Sequence, residues 1–135
     1  GIILALAGLR RLGLAGTPHE VLPPDLVLPA PGQGALAVEC RGDRADVRAA
    51  LAPTFDEDTR LETELKRRIL KAVGGGCATP LGALARAGAS ELSMSVFWSD
   101  AEGRRQVRAS GKAGRRPEEL SNLVDGLAQR VLSGG

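Results

Sequence analysis

A cysteine that follows three consecutive glycines is the residue of this chain best suited to chemistry. Cys77 ends the run Gly74-Gly75-Gly76, and Pro80 lies three residues later. Three glycines lose much conformational entropy on folding, so such a loop is expected where a side chain is presented or a bulky group lies beside the backbone. Basic residues one to three helical turns earlier favour the thiolate, which makes Cys77 a candidate nucleophile. The alternative is a small buried cysteine that only fills space.

Two earlier segments carry residue types that suit an anionic ligand. Two glycines bracket Gln33, so the backbone there can approach a ligand or another segment closely. Near Gly8 an apolar run gives way to a short helical pattern that contains Arg10 and Arg11. Helix N-termini offer unpaired N–H groups to anions, and arginines bind carboxylates. A plain turn and solvated surface arginines are the alternatives.

The composition argues against several classes of function. With 18 basic and 16 acidic residues the formal charge is +2, too balanced for a nucleic-acid-binding protein. The two cysteines are too few for a disulfide scaffold and lack metal-ligand spacing, so we expect no metal, reduced thiols and a cytoplasmic location. The apolar opening is shorter than the roughly 20 residues of a membrane span, so no membrane contact is expected. The chain opens inside an apolar run, which favours a fragment of a longer protein.

Hydrophobic periodicity predicts an α+β fold for the later part of the chain. Leucine, isoleucine and valine recur every fourth residue over 61–73, and the pattern Thr59-x-x-Glu62 is typical of a helix start. Alternating patterns predict strands over residues 81–87, 91–98 and 104–112. Turn residues between them favour antiparallel hairpins, and Pro117 suits the first position of a second amphipathic helix. The sequence therefore predicts a three-stranded antiparallel sheet with helices packed on one face.

The first 41 residues follow a different pattern. A strand is predicted over 1–7, followed by a short helix and then by a second short strand over 35–40. Between the helix and the second strand lies a connector that contains Pro18, Pro23, Pro24, Pro29 and Pro31. We expect residues 1–41 to be the end of preceding domains. Residues 42–135 should then form the C-terminal domain, which begins with a short helix over 46–52.

Separation of the first segment from its sheet partners should leave apolar side chains uncovered. We expect exposed surface at Ile2, Ile3, Leu4 and Leu6. This surface should be either frayed or covered by self-association.

Three stretches resemble the signature motifs of porphobilinogen deaminases, also called hydroxymethylbilane synthases. They are residues 4–13 (LALAGLRRLG), 28–41 (LPAPGQGALAVECR) and 75–82 (GGCATPLG), in the family's order and at family-like separations. The resemblance covers nearly the whole chain and is weakest from Ala83 onward. It implies the C-terminal portion of such an enzyme, including the cofactor-attachment domain.

The resemblance implies a transferase of haem and tetrapyrrole biosynthesis. Family members join four porphobilinogen molecules head to tail, with loss of ammonia, to give hydroxymethylbilane. The growing chain hangs from a dipyrromethane cofactor, which a thioether would join to Cys77. The positions that match cofactor-binding residues of the family are Gly8, Arg11, Gln33, Gly34, Arg67 and Gly76. Arginines suit the acetate and propionate groups of the pyrroles, because they form forked hydrogen bonds with carboxylates.

The chain departs from the family pattern at several positions. Lys66 stands where an acidic residue usually precedes the arginine that matches Arg67, and Ile69 replaces an aromatic or large residue. Gly74 replaces an acidic residue before the two glycines. The region that would supply the catalytic aspartate is absent. We therefore expect the chain alone to be inactive and to need the N-terminal domains of the same enzyme.

Two other classes of function stay open at this point. The chain could be a degenerate or standalone module that binds a linear tetrapyrrole or a partner protein without chemistry. A weaker alternative is a thiol-regulated module that uses Cys40 and Cys77.

Overall fold

A three-stranded antiparallel sheet lies at the centre of the structure, a computed structural model that describes residues 1–76 and 78–134. The strands are β1 (Leu81–Ala87), β2 (Glu91–Ser99) and β3 (Gln106–Gly114), in the order β1-β2-β3. Leu81 of β1 lies opposite Trp98 of β2, and Trp98 lies opposite Val107 of β3. The sheet confirms the predicted α+β fold.

Alternation of apolar and small polar residues gives β2 one buried face. Leu92, Met94 and Val96 are buried, whereas Ser93 and Ser95 between them are half-exposed. Successive side chains of a strand point to opposite faces of the sheet, so only one face of the hairpins can join a core.

The third strand begins two residues later than the sequence pattern indicates. The amide N–H of Arg104 donates to Oδ1 of Asp100 at 2.7 Å, and the N–H of Asp100 donates to the Arg105 carbonyl at 3.0 Å. These bonds keep Arg104 and Arg105 in the turn. Arg105 also places its guanidinium 5.6 Å from the centre of the Trp98 ring, within cation–π range.

Two long helices cover the buried face of the sheet. α3 (Glu57–Ala72) packs mainly on β1, α4 (Pro117–Ser133) packs mainly on β3, and the two helices touch each other. Both present the predicted apolar stripe, and Pro117 is the first residue of α4, as expected. The core is almost entirely aliphatic, and its largest fully buried side chains are Leu65, Ile69, Leu92, Met94, Val96, Val124 and Val131.

The start of α3 differs from the sequence prediction. Asp56 is the N-cap, and its Oδ1 accepts from the Thr59 amide at 2.7 Å. Thr59 is therefore inside the helix, and the prediction that it caps the helix was wrong. A carboxylate at the N-cap satisfies an amide that the helix leaves without a partner.

The first 55 residues contain little regular structure. α1 (Leu6–Arg11) and α2 (Ala45–Leu51) are the α-helices there, and a single 3₁₀ turn (Ala52–Thr54) follows α2. The strands predicted over 1–7 and 35–40 are not formed. A strand needs a hydrogen-bonded neighbour, and neither segment pairs with another in the described chain.

The proline-rich connector contacts the outer edge of β1. The amide of Ala83 donates to the Pro29 carbonyl at 2.8 Å. Gly82 lies against Leu28 so closely that an added Cβ would be 2.8 Å from the Leu28 Cβ. The connector is thus seated on β1 at a position that requires glycine.

The predicted apolar surface at the start of the chain is largely present. Ile2 is 83% exposed, Ile3 77% and Leu4 58%, whereas Leu6 is half-buried and does not fit the prediction. Within the described residues no helix combines the length and apolar character needed to cross a membrane.

Candidate functional site

A cleft of about 250 Å³ lies where the connector, α3 and β1 meet. We call it the Lys66 cleft. Its lining residues are Pro29, Gln33, Gly34, Ala35, Thr59, Glu62, Thr63, Lys66, Leu84 and Arg86. The four residues from α3 recur at three- and four-residue intervals, so they share one face of the helix.

Among the charged residues that the structure describes, Lys66 is the one that is buried, with only 4% of its surface exposed. Its Nζ donates to the carbonyl oxygen of Gln33 at 3.0 Å. Burial lowers the pKa of Lys66, because the cation is removed from water. The negative charge of Glu62 opposes this shift, and the positive charge of Arg86 adds to it. The cleft therefore contains a partly desolvated ammonium group.

The other polar groups of the cleft differ in whether they have a hydrogen-bond partner. Oε1 of Glu62 accepts from the Ala87 amide at 2.9 Å, which ties α3 to the end of β1. Oγ1 of Thr63 is buried and has no hydrogen-bond partner among the described residues. Buried hydroxyls are normally paired, so this group stands out.

The segment around Gln33 is a turn that requires its glycines. Gly32 and Gly34 have φ of 87° and 90°, in the left-handed region that favours glycine. The Gln33 amide donates to the Ala30 carbonyl at 3.1 Å. With its backbone in this conformation, Gln33 directs its own carbonyl to Lys66.

Hydrogen bonds order both sides of the glycine loop (residues 74–80). α3 ends in a Schellman motif, in which the amide of Gly75 donates to the Leu70 carbonyl at 2.9 Å and Gly74 has φ of 70°. The amide of Gly76 donates to Oγ1 of Thr79 at 2.8 Å, and the Thr79 amide donates back to the Gly76 carbonyl at 3.0 Å. Gly74 therefore ends the helix here.

Cys77 lies outside the described residues. The expectation that its thiol stands clear of the core beside a cleft therefore stays a prediction.

The structure brings together only some of the predicted site residues. Gln33 and Gly34 line the Lys66 cleft. Arg67 and Gly76 are exposed, and neither is among the described residues that line the cleft. Gly8 and Arg11 are exposed on α1, where Gly8 is the third residue of the helix rather than its opening.

Sequence reasoning missed the role of Lys66, Thr63 and Arg86 in forming a cleft. The sequence identifies Lys66 only as a departure from the family pattern. A signal was present, because Glu62 and Lys66 directly follow Leu61 and Leu65 of the apolar stripe. The connector covers that neighbouring face, and its position could not be foreseen from periodicity.

Two models of known families match the chain. Residues 1–49 match the model described as "Porphobilinogen deaminase, dipyromethane cofactor binding domain". Residues 61–132, which include position 77, match "Porphobilinogen deaminase, C-terminal domain". The dipyrromethane cofactor expected from the sequence is thus the cofactor named in the description of the model that matches residues 1–49.

Similar curated proteins carry the same name. A porphobilinogen deaminase of Ralstonia nicotianae is 42% identical over 136 residues, which cover 99% of this chain and 41% of that protein. One of Roseiflexus sp. is 43% identical over 138 residues, covering 98% of this chain and 46% of that protein. Porphobilinogen deaminase 1 of Streptomyces avermitilis is 53% identical over 85 residues, 63% of this chain and 26% of that protein.

The fold and the matched regions define the class as an α+β C-terminal domain preceded by part of a dipyrromethane-cofactor-binding domain. The chain belongs to the porphobilinogen deaminase family. It spans about two fifths of the length of the first curated relatives that it matches.

Proposed function

We propose that the chain is part of a hydroxymethylbilane synthase. In this function a dipyrromethane primer is attached to Cys77, and four porphobilinogen molecules are added to it in turn with loss of ammonia. The observation that carries the proposal is the match of residues 61–132 to the deaminase C-terminal domain, within which Cys77 follows the glycine-rich end of α3.

In this proposal the thiol of Cys77 gives up its proton, and its sulfur bonds to the methylene carbon of a porphobilinogen unit as the bond from that carbon to nitrogen breaks and ammonia leaves. The resulting thioether afterwards serves as a tether. The arrangement around residue 77 suits a tether, because α3 on one side and β1 on the other are anchored in the core by Ile69 and Leu81.

Arg11 and Arg67 are proposed to bind the acetate and propionate groups of the pyrroles, with Gly8, Gln33, Gly34 and Gly76 close to the cofactor. Both arginines are exposed, so their guanidinium groups are accessible to a ligand. Forked hydrogen bonds to carboxylates are the contact that arginine makes best.

The proposed partner of the chain is the N-terminal portion of the same enzyme, which would supply the catalytic aspartate and most substrate-binding arginines. The exposed apolar residues Ile2, Ile3 and Leu4 support this division, because such surface usually marks a contact with another protein segment. We propose residues 1–41 as the end of those domains and 42–135 as the cofactor-attachment domain. A cytoplasmic location is part of the proposal, since a chain with two cysteines and no disulfide framework suits a reducing compartment.

A chimera tests this function. The chain is fused to the N-terminal portion of the Ralstonia nicotianae relative, and the intact mass of the purified protein is measured. We expect a covalent addition of two pyrrole units and turnover of porphobilinogen. Cys77→Ser should remove both, whereas the matched control Cys40→Ser should retain both.

The isolated chain should show no turnover of porphobilinogen. Turnover by the isolated chain, or an addition that persists in Cys77→Ser, would contradict the proposal.

A further inference from the structure

We propose that the Lys66 cleft is a binding site for a small carboxylate anion, held by Lys66, Thr63 and Arg86. This site is separate from the covalent attachment at Cys77. It does not depend on the proposed function, because it follows from side chains and a cleft that are present in the described residues.

The cleft offers donors that nothing in the described structure uses. An ammonium group has three N–H donors, and the bond to the Gln33 carbonyl is the one hydrogen bond that the Lys66 ammonium makes with a described residue. The Thr63 hydroxyl is buried without a described partner and lies one helical turn before Lys66 on the same face. A carboxylate accepts several hydrogen bonds with its two oxygens, so one anion can bind both groups at once.

The balance of charge favours a monoanion. Lys66 and Arg86 each contribute one positive charge to the cleft, and Glu62 contributes one negative charge. The Glu62 carboxylate opposes an incoming anion, but its Oε1 is bonded to the Ala87 amide. The sum is one net positive charge. Arg86 is exposed, whereas the Lys66 ammonium is partly removed from water, which is costly until an anion pairs with it.

The size of the cleft restricts the ligand. Ligand pockets for drug-sized molecules are roughly 300–1,000 Å³, so a cleft of about 250 Å³ suits a small acid or one part of a larger ligand. The carboxylate could come from a free acid or from an acidic side chain carried by a larger ligand. Both sources have the same chemistry at Lys66.

Binding is tested by titrating the full 135-residue chain with sodium acetate at constant ionic strength and following backbone amide signals by NMR. We expect saturable shifts at Gly34, Thr63 and Lys66 that sodium chloride does not produce. A parallel titration with porphobilinogen separates the two sources. If porphobilinogen shifts the same amides at lower concentration, the site takes the carboxylate of a larger ligand; if it does not, the site takes a free acid.

Lys66→Met should weaken acetate binding by about tenfold or more, because a charge-assisted hydrogen bond is lost. Thr63→Val keeps the shape of the side chain and the charge of Lys66, and it should weaken binding about fivefold. The control Lys71→Met removes an exposed lysine of α3 outside the cleft and should leave binding unchanged.

The pH dependence gives a readout that a purely structural lysine would not show. Burial lowers the pKa of Lys66, with Glu62 and Arg86 as the charged groups that face it from α3 and β1. Binding should therefore weaken as Lys66 loses its proton at rising pH, and Lys66→Met should abolish this dependence. Absence of saturable shifts, or equal shifts in folded Lys66→Met and wild-type chains, would overturn the proposal.

Discussion

Burial of a single lysine is the most consequential feature at the scale of individual residues. A lysine is rarely fully buried unless it is paired, yet Lys66 lies in the layer between α3 and the connector. Its bond to the Gln33 carbonyl joins residues that are 33 positions apart in the sequence. Lys66 thereby fixes the turn after the connector, which contains the predicted ligand-binding residues Gln33 and Gly34.

The lowered pKa of Lys66 predicts how stability changes with pH. Between the folded-state pKa and the ordinary value of 10.5, the unfolded chain binds more protons than the folded chain. The contribution of Lys66 to the unfolding free energy should therefore rise with pH across this window. Urea unfolding of the wild-type chain and Lys66→Met at several pH values measures it. The wild type should gain stability relative to the variant as pH rises.

Lys71→Met is the control for this measurement, because Lys71 is exposed on the same helix. Its stability difference from wild type should not change in the same direction. A difference between wild type and Lys66→Met that stays constant or falls with pH would show that Lys66 is not desolvated.

Sequence reasoning at this scale identified residues that belong to local motifs. Gln33 and Gly34 could be singled out because a bracketing pair of glycines is visible in the sequence, and the structure places both at a cleft. The burial of Lys66 could not be foreseen in the same way. It depends on the contact between Lys66 of α3 and the turn at Gln33, two segments that are distant in sequence.

At the scale of elements, the helices and strands of the later part of the chain follow from periodicity. β1 and α4 begin where the pattern indicates, because a proline precedes the first and opens the second. Strands over 1–7 and 35–40 were wrongly expected, because a continuous apolar run measures suitability for a buried strand and not the presence of a neighbour. The cap of α3 was misplaced by three residues, since Asp56 and Thr59 both suit that position.

At the scale of elements, Gly126 lowers the stability of helix α4. It lies inside the helix, is exposed, and has no heavy atom within 4 Å of the place where a Cβ would be. Gly126→Ala should therefore raise the unfolding free energy by roughly 0.5–1 kcal/mol, because alanine loses less backbone entropy in a helix. Urea unfolding measures the change.

Gly111→Ala is the matched comparison within β3. A Cβ there would lie 2.7 Å from Cδ1 of Leu123, so the Leu123 side chain must move from its contact with β3 and stability should fall. If the two alanine variants changed stability in the same direction, the close contact of Leu123 with Gly111 would be incorrect.

At the scale of the whole molecule, the chain has a well-packed later part and an apolar early part that is largely uncovered. The buried core residues all come from α3, the sheet and α4. By contrast, Leu36 is 84% exposed and Val38 63% exposed, beside the exposed residues at the start of the chain. Burial of such surface by another copy or by the remaining domains would be favourable.

The isolated chain should therefore self-associate in a concentration-dependent way. Light scattering coupled to size-exclusion chromatography measures the mass. The double substitution Ile2→Ser and Ile3→Ser should shift the population toward the monomer, because it removes apolar surface without touching the core. Leu132→Ser, an exposed apolar residue at the end of α4, is the control and should have little effect. A wild-type chain that stays monomeric at all concentrations would contradict the prediction.

The position of Trp98 gives the molecule a built-in optical probe. It is the single tryptophan of a chain that has no tyrosine, so the intrinsic fluorescence comes almost wholly from one indole. That indole lies on β2 opposite Leu81, four residues beyond Cys77, and beneath the guanidinium of Arg105. A change in emission intensity or wavelength therefore reports on the end of the sheet next to the glycine loop.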